Sequence, residues 1–191
     1  MTQGETKKKT FTPDENLRLL IDPKLLSKKD FELFGPDSDF HIRSLSSTDH
    51  ERDHLGLLSN LTKVPDLGPE KYKERFELLK TINSMTTDKP TYSILVIVQK
   101  STDQLIGSGT LLLEHKFIRS NGTVGHIEDI VVDSSLRGKN LGRILIETLV
   151  DLSQSFGSYK TILDCNKENI AFYEKCGFTH KEYEMVKYSL E

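Results

Sequence analysis

Along this chain the spacing of apolar residues switches between two and three to four, and the switches divide it into elements. Residues 1–16 are almost wholly polar and read as a flexible tail, with Lys7-Lys8-Lys9 solvated. Residues 17–39 carry the apolar pairs Leu19/Leu20 and Leu25/Leu26, then Phe31, Leu33 and Phe34, between Asp22-Pro23 and Gly35-Pro36. That pattern fits a docking arm with one helical turn. A strand is predicted over 40–45. Ser47 or Thr48 can cap a helix to about Leu61, with Leu55, Leu58 and Leu61 on one face. Gly68-Pro69 opens a second helix that carries Tyr72, Phe76, Leu79 and Ile82.

Strand patterns follow over 92–99, 105–114 and 125–132, punctuated by Thr102-Asp103 and Asn121-Gly122. The segment 138–156 then places Leu141, Ile144, Leu145, Thr148, Leu149 and Leu152 on one helical face, closed by Gly157. A strand over 159–165, a short helix over 168–175 closed by Gly177, and a strand over 178–187 complete the chain. The order is β-α-α-β-β-β-α-β-α-β, an α/β (α+β) domain over 40–191 with a mixed, mostly antiparallel sheet.

Composition narrows the class. The 191 residues are 36% hydrophobic and 29% charged, enough to bury one core. The formal net charge of −3 argues against a dedicated nucleic-acid binder. No apolar run reaches membrane-spanning length, and the first residues lack the apolar stretch of a secretory signal, so a cytoplasmic protein is expected. Cys165 and Cys176 lack metal-ligand spacing and read as core thiols.

Chemistry concentrates in the last third. Arg137-Gly138-Lys139-Asn140-Leu141-Gly142 stands between an apolar strand and an amphipathic helix. Glycines permit close backbone approach there, the first helical N–H groups lack partners, and the helix dipole favours an anion. A diphosphate suits that loop; an ordinary glycine-bearing helix entry is the plainer reading. Glu128 and Asp129 are adjacent carboxylates in an apolar strand, so they point to opposite faces and cannot form a close pair. Asp164 also lies in an apolar strand, a costly place for a carboxylate without a function.

The segments Gly125-His-Ile-Glu-Asp-Ile-Val-Val-Asp133, Arg137-Gly-Lys-Asn-Leu-Gly142, Tyr159-Lys-Thr-Ile-Leu-Asp-Cys165 and Asn169-Ile-Ala-Phe-Tyr-Glu-Lys-Cys-Gly-Phe178 resemble the GCN5-related N-acetyltransferases (GNAT). With Glu114-His-Lys-Phe-Ile118 they are most similar to the eukaryotic glucosamine-6-phosphate N-acetyltransferases. The phosphate-loop pattern is met by Arg137 and Gly142, while Asn140 departs from it.

The resemblance implies a GNAT fold and acetyl-CoA as co-substrate, with no metal. It implies transfer to D-glucosamine 6-phosphate in a ternary complex, on the route to UDP-GlcNAc. Ile130, Val131 and Val132 would pair with the pantetheine arm and polarise the acetyl carbonyl. Arg137, Gly138, Lys139, Asn140, Leu141 and Gly142 would hold the pyrophosphate. Tyr173 would protonate the departing thiolate; without the motif, Phe172 and Tyr173 are simply core aromatics. Asn169 contacts the coenzyme or caps its helix. Glu128, Asp129, Ile130 and Asp164 would form the sugar site, Glu128 and Asp164 taking part in catalysis. Thr62, Lys116, Phe117, Ile118, Arg119, Tyr159 and Lys160 would receive the sugar phosphate, in a cationic pocket shared with Arg137 and Lys139. A homodimer completed by C-terminal strands is also implied, with Tyr188, beside Lys187, where the family places a partner arginine.

Three other readings compete: an acetyltransferase for proteins or other small amines, a non-catalytic acyl-CoA-binding module, and a zinc hydrolase. The last rests on His50-Glu51-Arg52-Asp53-His54, which matches His-Glu-x-x-His with Glu74 as a third ligand. The charged residues between the histidines favour a solvated helix face.

Overall fold

A computed structural model of the chain describes residues 10–27, 34–35, 37–86 and 89–189. Five strands form one sheet in the order β1 (Phe40–Ser44), β2 (Tyr92–Gln99), β3 (Gln104–His115), β4 (Thr123–Val132) and β5 (Ser158–Leu163). The first three pairings are antiparallel, and β4–β5 is parallel. A parallel neighbour needs a crossover, supplied by α3 (Leu141–Ser155). Leu145 and Leu149 of α3 are fully buried against the sheet. Gly109 of β3 makes this approach possible: a Cβ there would stand 2.5 Å from Ile130 Cδ1 and 2.9 Å from Leu149 Cδ1.

The opposite face is covered by α1 (His54–Leu58) and α2 (Gly68–Ser84), through buried Leu57, Phe76 and Leu79. Helix α4 (Ile170–Lys175) follows β5. Among the described residues no helix is long and apolar enough to cross a membrane.

Expected and observed structure differ in three elements, and in the caps and cysteines besides. The helix expected from Ser47 or Thr48 to Leu61 is broken into a 3-10 turn, Asp49–Arg52, and α1. Arg43 donates twice to buried Asp49 at 2.7 Å, and Arg52 donates through Nε to Asp103 at 3.1 Å. These buried pairs fix Arg52 inward, and Asp53 turns left-handed at φ 62° to restart the helix. Neither Thr48 nor Asn169 makes a side-chain cap bond.

The strand expected over 178–187 is absent. Beyond the Phe178 N–H, which Tyr173 accepts, the segment to Ser189 makes no ladder bonds, and Tyr183, Met185, Val186 and Tyr188 are exposed. Strand β5 is the last in the sheet, and among the described residues nothing adds to it.

Attachment of the N-terminal region begins earlier than the expected boundary at Asn16. Thr12 donates to Asp103 through N and Oγ1, and Asp14 bonds His41 at 2.9 Å. Leu20, Ile21 and Leu26 of the arm are buried, with a 3-10 turn at Pro23–Leu25. Residues 1–9, with the three lysines, and residues 28–33, with Phe31 and Leu33, lie outside the described residues. Cys165, expected in the core, is exposed, and Cys176 is half-buried.

Candidate active site

The site begins with an irregularity in β4. Opposite β3, Glu128 faces Thr110 and Val131 faces Ser108, so one residue of β3 stands against two of β4. This is a β-bulge, and Asp129 adopts φ 53° within it. The extra residue puts Glu128 and Val131 on the same face, the one covered by α1, while Ile130 turns toward α3. Pairing of β4 with β5 ends at Ile127 and Leu163, although β4 continues to Val132. The β5-facing backbone of 128–132 is therefore left open, a place for an extended ligand to pair as a strand would.

At the end of this open edge lies the glycine-bearing loop. Gly138 has φ 84° and Asn140 φ 57°, and the chain enters α3 without a side-chain cap. Six consecutive N–H groups, from Gly138 to Arg143, find no acceptor among the described residues. With the helix dipole behind them they suit a diphosphate. Arg137 is exposed, and Lys139 Nζ lies 5.3 Å from the centre of the Phe40 ring.

The carboxylates gather at the mouth of the cleft. Partial burial, then the charges of Asp164 and Asp129, push Glu128 above the usual carboxylate range. Asp164 and Cys165 follow the last residue of β5 and line a cavity of about 510 Å³ together with Tyr173 and the segment 176–184. Burial, then nearby Cys165 and Cys176, raises the Tyr173 phenol, so it stays protonated at neutral pH. Its ring is edge-on to Phe172 at 5.1 Å and to Phe178 at 6.2 Å. Both thiols are raised by burial, seconded by Asp164 for Cys165 and Glu147 for Cys176, so neither is a ready nucleophile.

The single cationic pocket expected from Lys116, Arg119, Lys160, Arg137 and Lys139 is not assembled. Lys116 and Arg119 sit at the tip of the β3–β4 hairpin, Arg137 and Lys139 beyond its open end. β4 is 10 residues long, so about 30 Å separates the two groups. At the tip Lys116 Nζ meets Glu114 Oε1 at 2.6 Å, and Arg119 lies 5.9 Å from the centre of the Tyr159 ring. Arg119, Ser120 and Asn121 all have φ between 54° and 58°, which leaves Phe117 98% exposed and Ile118 65% exposed. Lys160, beside Val124, lies toward the same end and also lines the cavity that holds Asp164 and Tyr173. Thr62 is exposed in the connection between α1 and α2.

Sequence reasoning missed one buried cluster. His54, read as half of a solvated motif, is 5% exposed. Its Nδ1 meets Tyr72 Oη at 2.9 Å and its Nε2 meets Ser108 Oγ at 3.1 Å. Burial lowers its pKa to about 4, so the ring is neutral at pH 7. His50 pairs with Asp66 at 2.9 Å instead of sharing a ligand with His54. No group of three or more metal-ligating side chains occurs among the described residues. The signal available was the apolar company of His54: Leu55, Leu57 and Leu58.

An antiparallel hairpin with a bulge, a splayed parallel neighbour and an open amide loop at a helix start together make a groove of unpaired backbone that ends on an anion-binding turn. The chain belongs to the GNAT acetyltransferases: the model of the "Acetyltransferase (GNAT) family" matches residues 59–178. The similar proteins narrow this class. A glucosamine 6-phosphate N-acetyltransferase of Arabidopsis thaliana is 40% identical over 78% of this chain and 96% of its own length. One from Dictyostelium discoideum is 39% identical over 80% and 92%. The crystal structure of the Arabidopsis enzyme superposes with a TM-score of 0.73, covering 78% of this chain and 97% of that one. An acetyltransferase of Trypanosoma brucei, 35% identical, gives 0.71 over 78% and 99%.

Proposed function

We propose that this chain transfers the acetyl group of acetyl-CoA to the amine of D-glucosamine 6-phosphate, by direct attack within a ternary complex. The observation that carries this reading is the open edge of β4 beyond Ile127. It runs from Glu128, beside Asp164, to the free amides of 138–143, with Tyr173 of α4 next to it.

The amides of Gly138, Lys139, Asn140, Leu141 and Gly142, with Arg137, receive the pyrophosphate, and Asn169 lies on the coenzyme side. The backbone of Ile130, Val131 and Val132 pairs with the pantetheine arm, and its N–H groups steady the oxyanion that develops on the carbonyl. Glu128, strengthened as a base by its raised pKa, takes the ammonium proton so that the neutral amine can attack. Asp164 and Asp129 orient the amino sugar. As the C–S bond breaks, the protonated Tyr173 phenol donates to the leaving thiolate, and the proton that the nitrogen sheds on becoming an amide returns the phenolate to its neutral form.

The phosphate of the sugar is held by Lys116, Arg119, Tyr159 and Lys160, with Thr62 on the acceptor side and Phe117 and Ile118 beside them. From Glu128 back to the tip of its own hairpin is at least four residues of strand, about 13 Å, longer than a hexose phosphate reaches. A homodimer that brings one copy's tip to the other's cleft removes this mismatch. It also gives exposed Tyr183, Met185, Val186 and Tyr188 a sheet edge to join, with Lys187 supplying charge. The catalytic domain in this reading is 40–191, with 17–39 as its docking arm.

The test follows thiol release from acetyl-CoA. Release with glucosamine 6-phosphate, and far less with glucosamine or lysine peptides, supports the proposal. Release with peptides but not with the sugar phosphate moves the chain to the protein acetyltransferases. Coenzyme binding without release to any amine makes it an acyl-CoA-binding module.

A further inference from the structure

We infer that His50 and His54, acting through Tyr72, are positioning residues for the amine acceptor. They pin both ends of the 59–67 connection, which carries Thr62, over the face of the sheet that presents Glu128. This rests on the acceptor roles proposed above for Thr62 and Glu128.

The connection has two anchors. At its start, Ser59, Asn60 and Leu61 donate their N–H groups to Leu55, Leu57 and Leu58, so it is continuous with α1. At its end, Asp66 accepts from the Gly68 N–H at 2.8 Å and pairs with His50 Nε2 at 2.9 Å. Tyr72 of α2 stands between the anchors, edge-on to His50 at 5.7 Å and to His54 at 5.8 Å. Its hydroxyl bonds His54 Nδ1, and His54 Nε2 bonds Ser108 Oγ. Ser108 faces Val131, and Thr110, next on that face of β3, faces Glu128. The row Tyr72–His54–Ser108 therefore ties α2 and α1 to β3 one residue pair from the proposed base.

Each member is buried enough for its bonds to count. His54 and Ser108 are 5% and 1% exposed, and losing one partner strands the other without water. The coenzyme groove draws on none of these bonds, since it is built from backbone on the far edge of β4 and from the loop before α3. The two subsites should therefore respond separately.

Tyr72→Phe deletes one buried hydroxyl and keeps the ring between the histidines. His50→Asn removes a surface-facing anchor and leaves the core untouched. For both we expect the KM for glucosamine 6-phosphate to rise, by about tenfold for Tyr72→Phe, the scale of one lost hydrogen bond. The KM for acetyl-CoA should stay within twofold of the parent. Amide exchange of 59–67 should quicken by a similar factor, while β3 and α3 keep their protection. A general loss of stability would lower the active fraction and hence kcat, without splitting the two KM values. Equal rises in both KM values, or unchanged exchange of 59–67, would overturn the inference. If the parent transfers nothing to the sugar phosphate, the functional reading falls, and the exchange measurement, which needs no substrate, still decides this one.

Discussion

Gly142 and Phe172 meet where the first turn of α3 faces α4. A Cβ at Gly142 would stand 3.4 Å from Phe172 Cζ and 3.8 Å from Val132 Cγ2. The glycine thus keeps α4, and with it Tyr173, close to the open loop. Alanine fits this space in ordinary contact, whereas leucine must displace Phe172. Gly142→Leu should raise the KM for acetyl-CoA about tenfold or more and leave the KM for the sugar little changed. Initial rates with each substrate varied in turn check this.

Tyr173 is held protonated by burial and by the neighbouring thiols. Tyr173→Phe keeps the ring packing with Phe172 and Phe178 and removes only the proton. Its kcat should fall by about 10²–10⁴, the usual worth of a general acid, with coenzyme affinity unchanged. Thiol release at saturation and calorimetric binding of acetyl-CoA separate the two. An undiminished kcat would remove Tyr173 from the acid role.

The pH profile tests Glu128. Its carboxyl is raised by burial, then by Asp164 and Asp129. Loss of activity on acidification should therefore begin above the ordinary carboxylate range. Asp164→Asn removes a like charge, favours the Glu128 anion and moves that acid limb to lower pH. Glu128→Gln should flatten the limb and depress kcat/KM at every pH. A limb that stays fixed in Asp164→Asn would show that another group sets it.

Asp49 is fully buried between Arg43 and Arg52 and also accepts from the Ser46 N–H at 2.7 Å. Removing one partner of such a cluster strands the others. Asp49→Ala should cost about 3–5 kcal/mol in denaturant unfolding, with the turn at Asp49–Arg52 the first segment to lose exchange protection.

Acid sensitivity should follow from His54. In the unfolded chain an ordinary histidine takes its proton near pH 6.5, whereas in the folded domain it does so at about 4. Stability is therefore complete above pH 6.5 and falls by about 3 kcal/mol as the pH drops from there to 4. The double variant His54→Phe/Tyr72→Phe, which leaves no phenol unpaired, should lack this component. Unfolding measured at pH 7 and pH 4.5 in both proteins isolates it.

Much of the scaffold is legible in local pattern. The β-branched run Tyr92–Gln99 is a strand over the expected residues, and the apolar stripe from Leu141 to Leu152 is α3. What local pattern misses depends on distant partners. Nothing in Arg52-Asp53-His54 announces that Asp103, fifty residues on, will hold Arg52 and break the helix. Glu128-Asp129-Ile130 reads as uninterrupted strand, because a bulge is a property of two strands and only one is written there. The cationic pocket looks whole in sequence because its lysines and arginines lie near in number. In space a hairpin sets Lys116 and Lys139 at opposite ends. Among the candidate site residues, Asp164, Tyr173 and Lys160 line one cavity and Glu128 lies within the field of Asp164, while Lys116 and Arg119 at the hairpin tip stand apart.

The bulge at Asp129 acts as a half-period phase shift in the strand. Every residue of β4 after it is displayed on the side opposite to the one plain alternation would assign. Pairing Asp129 as an ordinary ladder residue would leave the composition of the strand unchanged but would rotate Ile130, Val131 and the approach to Arg137 by half a turn. The loop amides would then open toward the wrong layer of helices. A one-residue insertion between 130 and 132, which makes the same phase shift, should thus be far less tolerable than a substitution there, whereas deletion of Asp129 keeps the phase, since the strand counts residues more strictly than it chooses them.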